Sequence, residues 1–203
     1  MEWPSSTSRR GRVGAVRSAM SLLLSGSRAS LVGMADPAAH PFAHLSFTPG
    51  ATPSFPPEQA EALARTAGIP PELAGRLDSR GLSPLALKLG IVFLEVSAQR
   101  TVATMPVAGN EQPVGLLHGG AHLVLAETLG SVAAAMHAGP DRGVVGTEIG
   151  ATHHRAARSG LVTGTATAVH LGRTLTTHEI VMTDEQGRRL STARMTNMVL
   201  EPR

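Results

Sequence analysis

Between Gly119 and His137 the sequence reads as one helix that is apolar on nearly every side, with Ala121, Ala126, Gly130, Ala133, Ala134 and Ala135 spread around it. A helix without a solvated face belongs inside something, so this stretch restricts the chain to folds that wrap a single helix. The segments that follow can supply the wrapping. Val144 to His154, Leu161 to His170, Thr174 to Thr183 and Arg188 to Leu200 read as strands, and Asp184 to Gly187 as a turn. Ahead of the helix, Leu87 to Val96 and Arg100 to Met105 read as an antiparallel pair, and Asn110 to Leu117 as a loop. Two strands, a buried helix and four more strands predict an α+β domain whose curved antiparallel sheet encloses the helix.

The chemistry gathers at the start of that helix. Backbone N–H groups in a first helical turn have no intrahelical partner, and Gly119 and Gly120 leave them open to a carbonyl oxygen from outside. Fixed donors of this kind stabilise the charge that a carbonyl oxygen gains under attack by roughly 3 to 4 kcal/mol each. Close packing of loop on helix would use the same glycines. Glu127 lies on a face of mostly small residues with Leu123, Ala126, Gly130, Ser131 and Ala134, where a carboxylate would be poorly solvated. It follows Gly119 by eight residues, about 12 Å along an α-helix. One helix therefore cannot easily present both groups to one carbonyl, whereas a two-fold pair of antiparallel helices can.

Ala103-Thr-Met-Pro-Val107, Gln112 to Gly120, Leu125-Ala-Glu-Thr-Leu-Gly-Ser131, Val144-Val-Gly-Thr-Glu-Ile149, His153 to Arg155 and His170-Leu-Gly-Arg173 occur in this order from Leu87 to Leu200. In these segments the chain resembles the hotdog-fold acyl-CoA thioesterases, of the group that hydrolyses 1,4-dihydroxy-2-naphthoyl-CoA and 4-hydroxybenzoyl-CoA. The resemblance implies a hotdog fold, a homodimer with two composite sites that commonly pairs into a tetramer, and hydrolysis of an acyl-CoA without a cofactor, coenzyme A being part of the substrate. It also implies that Gly119 is the oxyanion donor, that Gln112 and His118 lie near the acyl carbonyl, and that Glu127 is the catalytic carboxylate.

Glu127 would act as nucleophile or as general base, and sequence does not choose between them. His118 would either take part or cap the helix, and Ser131 would hold the carboxylate or the water, or bond back to its own helix. By analogy with related thioesterases, Gly120, His153, Arg155, His170, Gly172 and Arg173 would contact substrate and coenzyme A, arginine being suited to bidentate phosphate contact. A hotdog hydratase or dehydratase, and a non-catalytic acyl-CoA sensor, are the competing readings. An aromatic acyl group would find few aromatic walls, since Phe93 is the one aromatic residue after Pro84.

The composition bounds the rest. At 203 residues there is room for one domain with an extension, read as an arm and linker over 1–56, a short helical extension over 57–83, and the domain over 84–203. Within the extension, Glu58 to Ala67 and Pro70 to Leu77 read as helices. The net charge of +3 is misleading as a sign of nucleic-acid binding: residues 1–33 carry +4, which leaves −1 for the remainder. Ser8-Arg-Arg10 is not followed by the long apolar stretch of an export signal, and Met34 is an alternative start. With no cysteine, no zinc-like histidine spacing and no apolar run of spanning length, the chain is expected to be cytoplasmic, without metal, membrane or nucleic-acid partner.

Overall fold

The computed structural model describes residues 57–69 and 83–201. The expected arm over 1–56 and the helix expected over Pro70 to Leu77 lie outside the described residues. Helix α1, Pro57–Thr66, comes first. Leu63, Ala64, Ala67 and Ile69 at and after its end are buried in the same core as the sheet. The junction is tight. Ala67 C=O accepts from the Phe93 N–H at 2.7 Å, and Gly68, at φ +72°, has Phe93 C=O where a side chain would go.

Expected as strand from Leu87, the chain instead forms helix α2, Pro84–Lys88, and only then strand β1, Val92–Glu95. Local chemistry explains the difference. Ser83 Oγ caps the Ala86 N–H, Pro84 has the φ of a first helical position, and Gly90 at φ +71° ends the turn. Strand β2, Arg100–Pro106, follows, and the expected loop contains a two-residue pair, β3 (Glu111–Gln112) with β4 (Leu116–Leu117).

Helix α3, Gly119–Ala138, is the central rod, and strands β5 (Val144–His153), β6 (Leu161–Leu171), β7 (Leu175–Thr183) and β8 (Arg189–Val199) complete the domain. The six-stranded sheet runs β1-β2-β6-β7-β8-β5, and every neighbouring pair is antiparallel. Alternate residues meet the helix, among them Met105, Val162, Ala166, Ile180, Met182, Ala193 and Met195, all nearly or fully buried. Gly164 lets the helix come close: a Cβ there would stand 2.6 Å from Leu129 Cδ1. Asp184 Oδ1 accepts from the Gln186 and Arg188 N–H groups and Gly187 sits at φ +73°, which makes the β7–β8 turn the sequence predicts.

Strand β5 ends the sheet. It is ten residues long, pairs on one side with β8, and is exposed over most of its length. Helix α3 packs beside it and carries Glu127, which is exposed. A long exposed edge strand is a feature that proteins usually cover.

Candidate active site

The start of α3 is built by the short β3–β4 loop that precedes it. Asn110 C=O accepts from the His118 N–H at 2.9 Å, while Asn110 Nδ2 donates to Leu89 C=O and Pro106 C=O, so loop and sheet hold the helix entry together. His118 is the N-cap: its Nδ1 accepts from the Gly120 N–H at 2.8 Å. The two glycines are thus not equivalent. The Gly120 donor is occupied within the chain, and among the described residues the Gly119 N–H meets no acceptor. Of the two donors expected to be open, one is, and His118 caps the helix.

Gln112 is half-buried at the end of β3, with its C=O accepting from the Gly115 N–H, and no partner for its carboxamide among the described residues. Glu127 is likewise without an ion pair or hydrogen bond among the described residues, and the expected shortage of solvent around it is not met within one protomer. Ser131 neither reaches Glu127 nor bonds its own helix. Its Oγ lies 4.0 Å from Met195 Sδ.

His153, at the end of β5, comes inward against the helix start. A Cβ on Gly119 would lie 3.0 Å from its Nε2. Its Nδ1 is 2.9 Å from Ser191 Oγ, and Ser191 Oγ in turn donates to Thr152 C=O at 3.1 Å. Behind it, His122 is buried one turn into the helix, with ring centroids 5.2 Å apart. Burial, reinforced by His153, pushes the His122 pKa down to about 4. Neither His122 nor Ser191 is among the site residues expected from the sequence. The clues were the i+4 spacing from His118, which puts His122 on the capped face, and the period-two register that sets Ser191 opposite His153.

The residues expected near coenzyme A fall into two groups. His153 and Arg155, the latter donating to Arg189 C=O, stand beside the helix start. His170, Gly172 and Arg173 sit at the β6–β7 turn, where Gly172 C=O accepts from His137 Nε2 near the far end of α3, and Arg173 pairs with Glu201. A 20-residue helix separates the ends by about 28 Å, so one protomer does not bring the groups together. Phe93 is buried in the core.

A six-stranded antiparallel sheet wrapped on one long helix, with an unpaired donor at the helix start, defines a hotdog domain. The family model described as "Thioesterase superfamily" matches residues 114–191. The proofreading thioesterase EntH of Cronobacter sakazakii is 46% identical over 125 residues, 61% of this chain and 91% of that protein. Among solved structures, a variant of thioesterase PA1618 from Pseudomonas aeruginosa superposes with a TM-score of 0.57 at 35% identity, covering 74% of this chain and 96% of that one. Thioesterase HI1161 from Haemophilus influenzae gives 0.58 at 31%, covering 73% and 93%. The chain belongs to the thioesterase superfamily. It is a thioester hydrolase with the hotdog fold.

Proposed function

We propose that the chain hydrolyses an aromatic acyl-CoA to free acid and coenzyme A as a homodimer with composite sites, without a cofactor. The observation that carries this reading is the placement on one helix of two groups without a partner among the described residues, the Gly119 N–H at its start and the Glu127 carboxylate eight residues on. They stand about 12 Å apart along the axis, too far to serve one carbonyl from one protomer. Pairing two copies along the exposed β5 edge would lay their α3 helices antiparallel and bring each Gly119 toward the partner's Glu127. The same pairing turns opposite helix ends toward each other, so that His153 and Arg155 of one copy and the His170 to Arg173 turn of the other could serve one coenzyme A.

In this reading the thioester oxygen lies on the Gly119 N–H, with Gln112 as a second polar contact. The partner's Glu127 attacks the carbonyl carbon or draws the proton from a water that does so, and the thiolate leaves. Similarity to a proofreading thioesterase, together with the sequence resemblance to naphthoyl- and benzoyl-CoA hydrolases, supports an aromatic acyl group, which small and aliphatic side chains on the α3 and β5 faces would flank. We assign the protein to the cytoplasm, with dimers able to pair into tetramers.

Thiol release from benzoyl-CoA, hydroxybenzoyl-CoA and a series of alkanoyl-CoAs tests the proposal, wild type beside Glu127→Ala. Aromatic thioesters should turn over fastest and the alanine variant should lose turnover. A preference for alkanoyl groups would sink the aromatic assignment. Hydration of an enoyl-CoA, or tight binding without thiol release, would replace hydrolysis with the hydratase or the sensor reading.

A further inference from the structure

His153 and Ser191 face each other across β5 and β8, and Ser191 is fully buried. Two contacts meet at the serine hydroxyl: His153 Nδ1 at 2.9 Å and Thr152 C=O at 3.1 Å. A hydroxyl has one proton, and a carbonyl oxygen can only accept. If that proton goes to Thr152 C=O, the hydrogen between Ser191 and the imidazole must come from Nδ1. Neutral His153 then carries its hydrogen on Nδ1 and a lone pair on Nε2. Nε2 is the atom that abuts Gly119, beside the open N–H of the helix start.

We infer that Ser191 is a positioning residue that locks His153 in its Nδ1–H tautomer, so that Nε2 accepts a hydrogen bond from the secondary amide N–H in the leaving arm of the thioester. Resting on the hydrolase reading, the inference follows from the covalent distances. Two methylenes separate the sulfur of that arm from its first amide, which puts the N–H within about 5 Å of the scissile carbonyl, on the scale of the gap between Gly119 and His153. A lone pair is the right complement to an N–H, and the other tautomer would set donor against donor. Behind His153, His122 is buried and held uncharged well below neutral pH, so it places no charge beside the ring.

The wild-type protein tests the tautomer directly. Long-range proton–nitrogen correlation spectra of the 15N-labelled chain at pH 8, with His153 assigned through His153→Gln, should show a protonated Nδ1 and an unprotonated Nε2. A protonated Nε2 would overturn the inference whatever the kinetics do. Ser191→Ala should return the ring to predominantly Nε2–H and raise KM for an acyl-CoA about fivefold to tenfold with kcat within a factor of two, and Ser191→Thr should restore both. With an acyl thioester of a simple alkanethiol, which lacks the amide, Ser191→Ala and wild type should have equal KM. An equal rise in KM on both substrates, or no rise on either, rejects the assigned contact. The spectrum is independent of Glu127, so failure here is separable from failure of the hydrolase reading, which the Glu127→Ala assay decides alone.

Discussion

The imidazole of His122 lies 5.2 Å from that of His153, the first buried and the second exposed, at the point where helix α3 meets the end of strand β5. The buried member keeps a polar nitrogen, Nδ1, without a partner among the described residues. An apolar recess holding a group that water would rather protonate makes stability sensitive to acid.

That sensitivity has a sign. His122 has a pKa near 6.5 unfolded and about 4 folded, so above about pH 6.5 it is neutral in both states and contributes nothing to the pH dependence. As pH falls from 6.5 toward 4 the unfolded chain takes up a proton that the folded one refuses, and stability drops by up to about 3 kcal/mol. Urea unfolding at a series of pH values should show the decline, and His122→Leu should flatten it. An unchanged slope in the variant would remove His122 as its source.

Glu127 is exposed and has no partner among the described residues, so its loss should separate activity from folding. Glu127→Ala is expected to lower kcat by about a thousandfold or more while changing unfolding free energy by less than about 0.5 kcal/mol. Stopped assays of thiol release alongside denaturant curves read both. A large drop in stability would mean that the carboxylate serves structure.

If the sites are composite, two inactive variants should repair each other. Glu127→Ala and Gly119→Val proteins, mixed, unfolded and refolded together, should recover about a quarter of wild-type activity, because half the dimers are mixed and each holds one intact pair. No recovery in a verified mixed dimer would place both groups of one site on one protomer.

His118 acts on the helix through its ring nitrogen, and a shorter acceptor can replace it. His118→Ala should cost about 1 kcal/mol, whereas His118→Asn, which also caps well, should stay within a few tenths of wild type. Thermal unfolding distinguishes them. Equal losses for both would show that the cap contributes nothing.

Gly164 admits Leu125 and Leu129 against the sheet, and a methyl group there would stand 2.6 Å from Leu129 Cδ1. Gly164→Ala should destabilise by about 1 to 3 kcal/mol, and Leu129→Ala in the same chain should recover part of the loss by making room. Additive losses in a double-mutant cycle would contradict the contact.

Much of this was readable before any coordinates. Helix α3 and strands β5 to β8 appear within a residue or two of their expected bounds, because a long alanine-rich apolar run bounded by glycines, and strands bounded by turn residues, each leave a strong signal. The one displaced element was β1: Leu87, Leu89 and Ile91 look like strand, but Ser83 and Pro84 begin a helical turn first. At the site, sequence located Gly119 and Glu127 on their helix. It could not tell which glycine donor stays open, because that depends on the χ angles that turn His118 Nδ1 onto Gly120. Nor could it separate His153 from the His170 to Arg173 turn. Their distance is set by the length of α3 lying between them, and His122 and Ser191 carry their roles only through neighbours distant in sequence.

If the Gly119 N–H is the oxyanion donor, the capping bond from His118 also bears on catalysis. A carbonyl oxygen has two lone pairs, and the main chain at this rod's tip can satisfy only one of them. Whatever meets the other, an amide side chain or a lodged solvent molecule, is softer than backbone, so rate in this protein should respond to changes in hydration and crowding more steeply than a two-amide cradle would allow.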